Sequence, residues 1–223
     1  MKKFISKLLI SVMVIAFATN FADAKTFVSL SPALTEIMYA IGADADLVGV
    51  STECNYPAEA KQKTKVGNAY YMNKEKILSL HPDYVLLADG AASASQKLDK
   101  IGTKPLIYKM NSVNSIYDTI LALGQLTGNV ENSKKVVADL KSQVSATKTT
   151  HPKKILYLIQ LNPLITIGNK SFISDMIKVS GQKSVTSDLT AFYPAVSAEY
   201  ILKLNPDVIV VSTKSDDKLL KKL

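Results

Sequence analysis

The sequence predicts an α/β fold of two similar lobes with mainly parallel sheets, joined by one long connector helix. The first observation is an internal repeat: the nine residues from Glu75 to Asp83 recur from Glu199 to Asp207 at an offset of 124, with six identities. The second is the alternation of short apolar strands with helical segments in both copies. The third is an amphipathic segment between the copies with no strand pattern beside it. One long repeat predicts two lobes, because solenoids stack three or more shorter units.

The first 24 residues are predicted to be a secretory signal peptide. Lysines follow the first Met, an apolar run interrupted only by Ser11 extends from Leu8 to Ala18, and Ala22-Asp23-Ala24 supplies a small-x-small cleavage pattern. The run is shorter than the roughly 20 residues that a transmembrane helix needs, and an uncleaved anchor is the alternative. We therefore expect an exported protein of the periplasm whose mature chain begins at Lys25.

The first lobe is predicted to span residues 25–128. Strands are expected at 26–30, 47–50, 84–88 and 105–109, and helices at 34–41, 74–80, 93–101 and 116–126. The strand at 84–88 is continuously apolar, as strands buried in parallel sheets are. Asn73 is a predicted helix cap and Pro82 a predicted helix stop, so the short helix between them is bounded on both sides.

The connector helix is predicted within residues 129–150, and the second lobe within 151–223. In the second lobe we expect strands at 154–159 and 208–211 and helices at 172–179 and 198–204. The repeat would place counterparts of the fourth strand and fourth helix of the first lobe beyond Leu223. We therefore expect an incomplete second lobe; a fragment, a truncated gene, a non-functional remnant and a lobe completed differently are the open alternatives.

The composition argues against several functional classes. The formal net charge is +8 at pH 7, and all 27 basic residues are lysine. Bidentate recognition of phosphate and guanine is arginine chemistry, so we expect no nucleic-acid partner.

His81 and His151 lack ligands at metal-binding spacing, and Cys54 has no second cysteine to pair with. No nucleophile elbow, phosphate loop or dinucleotide fingerprint occurs, so we expect no catalysis and no cofactor. An exported enzyme on a two-lobed scaffold is the alternative from a different class.

Aromatic residues are placed where a ligand would bind. Two lobes form a cleft, and clefts between domains bind small molecules. Tyr70-Tyr71 and Phe192-Tyr193 precede the two repeated helices, and Tyr56 is a weaker candidate for the same wall. A tyrosine offers a flat apolar face with a hydroxyl, which suits a large planar ligand, and it can also ligate ferric haem. The alternative is that these rings pack the loops.

Glu75 and Glu199 are predicted to lie in the first turns of the two repeated helices. Stabilisation by the helix dipole alone would explain a carboxylate there. The functional alternative is a matched pair of exposed carboxylates, one in each lobe, that engages two basic sites on a symmetric partner.

Several motifs together resemble the periplasmic substrate-binding proteins for cobalamin and iron chelates, and most of all the cobalamin-binding (BtuF-like) branch. They are Val28–Glu36, Gly49-Val50-Ser51, Tyr56-Pro57, Met72-Asn73-x-Glu75-x-Ile77 and Leu80-x-Pro82-Asp83. The resemblance implies two α/β lobes on a rigid helix, and delivery of a small-molecule ligand to the permease of an ABC importer. It also implies that Glu75 and Glu199 dock on basic residues of that permease.

The resemblance also indicates a ligand pocket. It places Tyr193 against the ligand, and the other expected pocket residues are Tyr70, Tyr71, Tyr56, Ser31 and Pro32. This sequence departs from the family where Glu53 replaces an expected aromatic, and it contains no Trp. We expect a monomer that binds a corrinoid such as cobalamin, with ferric siderophore or haem as the alternative ligands. The absence of Arg argues against anionic chelates, and the single rigid connector predicts little closure of the lobes.

Overall fold

A computed structural model describes residues 25–212 of the 223-residue chain. The predicted signal peptide, residues 1–24, lies outside the described residues, as do residues 213–223. Within the described range, the α/β fold with mainly parallel sheets and a long connector helix is confirmed. No helix in this range is long and apolar enough to span a bilayer.

The first sheet contains four parallel strands in the order β2-β1-β3-β4. Their bounds are β1 Phe27–Ser29, β2 Leu47–Val50, β3 Tyr84–Ala88 and β4 Pro105–Tyr108. Phe27 lies opposite Tyr84 in the register, and the two rings stack with their centroids 5.8 Å apart. The three central residues of β3 are fully buried, as its continuously apolar sequence predicts.

Helices cover both faces of this sheet: α1 Pro32–Ala40, α2 Lys74–Ser79, α3 Ala92–Asp99 and α4 Val113–Leu126. Side chains alternate between the faces of a strand. Phe27 and Leu86 therefore pack in the cluster under α1 and α4, whereas Val28 packs in the cluster under α2 and α3. Helix α4 begins three residues earlier than predicted, because Ser112 forms a capping box with Ser115.

The connector is helix α5, Val130–Ala146, with 17 residues. It packs against α4, and Val137 is buried in the core of the first lobe. Lys141 extends over the ring of Tyr117 on α4, with Nζ 5.4 Å from the ring centroid.

The second sheet is built around β5. The elements are β5 Lys154–Leu161, β6 Leu164–Thr166, α6 Phe172–Val179, β7 Lys183–Ser184, α7 Ala198–Leu204 and β8 Val208–Val211. Strands β7 and β8 run parallel to β5, whereas β6 runs antiparallel to it. The pattern of the sequence did not predict β6 or β7, which are short and depend on pairing with β5.

The sequence repeat is also a repeat in three dimensions. The Asn73 side chain accepts a hydrogen bond from the Lys76 amide at 2.9 Å, and Ser197 accepts one from the Tyr200 amide at 3.2 Å. These are equivalent caps of α2 and α7. Both helices are followed by a residue in the left-handed region, namely His81 and Asn205, each with φ of 45°.

The two sheets are also linked away from the connector. Helix α4 of the first lobe contacts α6 of the second. Asp175 Oδ2 on α6 accepts a hydrogen bond from the Val113 amide at 2.7 Å. This amide is at the N-terminus of α4, where backbone N–H groups lack partners within the helix and a carboxylate is stabilised by the helix dipole.

Candidate functional site

The candidate site begins with a cavity of about 500 Å³ at the carboxyl ends of β1 and β3. Ligands of open α/β sheets bind at this edge, outside the carboxyl ends of the strands. The cavity brings together four residues predicted to contact a ligand: Ser31, Pro32, Tyr70 and Tyr71. Glu53, Asp89 and Lys97 line it as well.

Ser31 and Pro32 lie in the short turn from β1 into α1. The Leu30 amide donates to the Leu86 carbonyl at 3.0 Å, which ties the end of β1 to β3. The Ser29 hydroxyl donates to the Ser31 carbonyl at 2.9 Å, and Pro32 occupies the first turn of the helix. Proline suits this position because its missing N–H would have no partner there. This wall of the cavity is therefore fixed by the backbone.

Tyr70 and Tyr71 form the tip of a turn with their rings directed to solvent, 80% and 85% exposed. Asn68 holds the turn from within, because its Oδ1 accepts from the amides of Tyr70 at 3.0 Å and Tyr71 at 2.9 Å. Gly67 has φ of 87°, and a Cβ at this position would collide with the Tyr71 carbonyl oxygen. The turn therefore requires glycine here, and the backbone that carries the two tyrosines is held in a fixed conformation.

Two carboxylates flank the tyrosines in the same cavity. Glu53 Oε1 accepts from Asn68 Nδ2 at 2.9 Å, so Glu53 supports the residue that holds the tyrosine turn. Asp89 Oδ1 accepts from the Met110 amide at 3.1 Å. Within residues 25–212, neither carboxylate forms a salt bridge, although Lys97 lines the cavity.

Tyr193 lies at the corresponding edge of the second sheet. It lines a separate cavity of about 410 Å³, whose other residues are Tyr157, Ile159, Ile165, Ile173 and Ser212. The Tyr193 ring is 58% exposed and lies beside Phe192, with the ring centroids 6.3 Å apart.

The loop that carries Tyr193 is tied to β6 and the residues after it. The Thr166 amide donates to the Pro194 carbonyl at 3.0 Å, and the Gly168 amide donates to the Phe192 carbonyl at 3.0 Å. A Cβ on Gly168 would collide with backbone carbonyls of this loop. Each lobe therefore supports its aromatic loop on a glycine that leaves no room for a side chain.

Tyr56 is the one predicted pocket residue that the structure places in neither cavity. Its ring is 66% exposed, and the neighbouring Cys54 is buried against Thr35.

Glu75 and Glu199 are both exposed in the first turns of α2 and α7. Hydrogen bonds with its own backbone amide and with Ser197 hold the pKa of the Glu199 carboxyl below its ordinary value. Among the residues that the structure describes, no cluster of His, Cys, Asp or Glu could hold a metal ion.

Comparison with known proteins identifies the family. The model of the periplasmic binding protein family matches residues 27–222. This chain belongs to that family. Over 216 residues it is 31% identical to a vitamin B12-binding protein of Vibrio campbellii (strain ATCC BAA-1116), covering 93% of this chain and 78% of the relative.

A further match places this periplasmic binding protein among the substrate-binding proteins of ABC importers. It is 32% identical to the ABC transporter substrate-binding lipoprotein YvrC of Bacillus subtilis (strain 168), over 90% of this chain and 67% of the relative. The crystal structure of a possible iron-binding (periplasmic solute-binding) protein from Staphylococcus epidermidis superposes with a TM-score of 0.77. That match has 29% identity and covers 89% of this chain and 82% of the other.

Several residues of this periplasmic binding protein's site were missed by sequence reasoning. Asp89 and Lys97 carry no motif, and they line the cavity from the loop after β3 and from α3. Asn68 carries no motif either, and it holds the tyrosine turn beside the cavity. The sequence singled out Glu53 only because it stands where the family has an aromatic residue. The one signal that could have indicated Asn68 is its place in Gly67-Asn68, a pair found in hairpin turns.

Proposed function

We propose that this protein captures a corrinoid such as cobalamin in the cleft between its lobes and delivers it to an ABC importer. It acts in the periplasm after export, as a monomer, and catalyses no reaction. The observation that carries this proposal is the pair of exposed aromatic loops, each beside a cavity at the carboxyl edge of its sheet.

The side chains of these loops suit a large ring. Tyr70, Tyr71 and Tyr193 offer apolar faces for contact with a macrocycle and hydroxyls for its polar edge. The two cavities have volumes of about 500 and 410 Å³, within the range of small-molecule sites. The hydrogen bonds of Asn68 and Gly168 hold the loops before a ligand arrives, which lowers the entropy cost of binding.

Glu75 and Glu199 are the proposed docking residues for the permease. Their equivalent positions on α2 and α7 support a role in which each lobe contributes one carboxylate to a partner with two similar halves. Such contacts fix the register of the complex and accelerate association, with a strong dependence on salt.

The experiment that tests the ligand contacts is a titration of the exported protein with cyanocobalamin. We expect Tyr193→Ala and the double variant Tyr70→Ala/Tyr71→Ala each to weaken binding about tenfold or more, because each removes an aromatic face from the ligand. The matched control is Tyr56→Ala, which removes another exposed tyrosine that lines neither cavity and should change the affinity less than twofold. Equal losses for all three variants would contradict the assignment.

Haem or a ferric siderophore is the second candidate ligand. The exposed tyrosine hydroxyls favour it, since tyrosine can ligate ferric iron in haem proteins. A parallel titration with haemin distinguishes the two, because ligation by tyrosine would shift the visible spectrum of haemin and Tyr→Phe variants would remove that shift.

A further inference from the structure

The cavity of the first lobe contains more negative than positive charge, in a chain whose net charge is +8. Its charged residues are Glu53, Asp89 and Lys97. Neither carboxylate has a lysine within 4.0 Å in the described part of the chain. The charge of this cavity therefore opposes that of the whole protein, and its two carboxylates have no ion-pair partner in the described part of the chain.

In each carboxylate, one oxygen accepts a hydrogen bond that orients the group. The other oxygen is available to a ligand. Glu53 Oε1 is occupied by the Asn68 side chain, and Asp89 Oδ1 by the Met110 amide. In residues 25–212, no hydrogen bond reaches Glu53 Oε2 or Asp89 Oδ2. An ionised carboxylate can only accept hydrogen bonds, so a ligand group at these oxygens must be a donor.

The rest of the cavity does not favour a negatively charged ligand group. The chain contains no Arg, which is the residue that binds a carboxylate through two parallel hydrogen bonds. Lys97 is the one cation that lines the cavity in the described structure. A ligand carboxylate would therefore meet two like charges and only one opposite charge.

We propose that Glu53 and Asp89 are specificity-determining residues that select ring ligands with uncharged, hydrogen-bond-donating arms, such as carboxamides, over ligands with carboxylate arms. This inference rests on the proposed function and concerns the same cavity. Carboxamide arms donate to the free oxygens, whereas carboxylate arms are repelled by them. Within the candidate ligands, this selects an amidated corrinoid over haem, which carries two propionates.

The test compares two corrin rings that differ in their arms: cobinamide, with carboxamides, and cobyrinic acid, with carboxylic acids. Haemin is titrated in parallel. The test variant is E53Q/D89N, in which an amide oxygen can still accept from Asn68 and Met110 while both charges are lost. The control variant is K97Q, which removes the positive charge from the same cavity.

We expect the wild-type protein to bind cobinamide at least about tenfold more tightly than cobyrinic acid, and E53Q/D89N to reduce that ratio about tenfold. K97Q should raise the ratio. A ratio that E53Q/D89N leaves within twofold of the wild-type value, or an equal loss for both ligands, would overturn the charge assignment.

The experiment can overturn the corrinoid ligand and the charge selection by Glu53 and Asp89 independently of each other. If haemin binds and neither corrinoid does, the corrinoid assignment fails, while the charge assignment still requires E53Q/D89N to bind haemin more tightly than the wild type. Unchanged haemin affinity in that case would overturn the charge assignment too. Binding of none of the three ligands would contradict both.

Discussion

Asp83 and Asp207 make the same hydrogen bond in the two lobes. Asp83 Oδ2 accepts from the Thr26 amide at 2.7 Å, and Asp207 Oδ2 accepts from the Lys154 amide at 2.7 Å. In return, the Asp83 amide donates to the Thr26 carbonyl and the Asp207 amide to the Lys154 carbonyl. Each aspartate thereby joins the start of its lobe's first strand to the loop before the parallel partner strand. The Pro-Asp pair of the repeat is therefore part of the fold's construction in both lobes.

Asp83 makes stability depend on pH. Hydrogen bonds from the Thr26 amide and hydroxyl hold the pKa of the Asp83 carboxyl below its ordinary value of 3.8. A carboxyl whose pKa is lower in the folded than in the unfolded state stabilises the fold above its unfolded pKa, and that contribution is lost as pH falls through the folded pKa. We expect D83N to lower the Tm at pH 7, and the difference from the wild type to shrink as the pH falls below 3.8. A Tm difference that stays constant as the pH falls below 3.8 would contradict this account.

Gly67 should be essential for the tyrosine turn. Ala at this position must adopt a left-handed conformation, which costs about 1–2 kcal/mol, and its Cβ must also displace the Tyr71 carbonyl. We expect G67A to weaken ligand binding about tenfold or more in a titration, because Tyr70 and Tyr71 move.

The matched control for Gly67 is G102A. Gly102 also has a positive φ, of 77°, but a Cβ there would meet no atom within 4 Å. G102A should therefore lose similar stability and keep its affinity for the ligand. Equal affinities of G67A and G102A would show that the turn does not depend on Gly67.

Asp175 links the lobes outside the connector helix. Its hydrogen bond to the Val113 amide involves a charged acceptor, so we expect D175A to lower the free energy of unfolding by about 1–3 kcal/mol in urea denaturation. D118A removes an exposed carboxylate from α4 and should change it by less than about 0.5 kcal/mol. Equal effects of the two substitutions would mean that the hydrogen bond between Asp175 and the Val113 amide contributes nothing to stability.

The docking pair can be tested by charge reversal. We expect E75K/E199K to abolish uptake in cells while the purified protein keeps its affinity for the ligand, since both residues are exposed and line neither cavity. E59K reverses another exposed carboxylate and should leave uptake intact. An equal loss of ligand affinity in E75K/E199K would exclude docking as their role.

The elements that could be predicted from the sequence are those with local signals. Helices α2 and α7 have a cap at Asn73 or Ser197 and a proline stop, and the sequence predicted both helices. The bounds of α7 were predicted as observed, whereas α2 ends at Ser79, one residue before its predicted end. The start of α1 at Pro32 was placed two residues late, because the apolar spacing begins at Leu34 while the helix begins at the proline.

The features that could not be predicted depend on contacts between distant segments. Strand β6 has three residues and exists because it pairs with β5 and with the loop before α7. Asp89 reaches the tyrosine cavity only because β3 and β1 are neighbours in the sheet. Asp175 caps a helix 62 positions away in sequence. Such relationships leave no periodicity or motif in a single sequence.

The most direct measurement is gel filtration of the exported protein with cyanocobalamin, monitored at the visible absorbance of the ligand. The account predicts that colour elutes with a compact monomer, and that Tyr193→Ala reduces the colour while leaving the elution volume unchanged. A compact monomer that elutes without colour, at ligand concentrations where a binding protein would be saturated, would contradict the assignment of a corrinoid ligand.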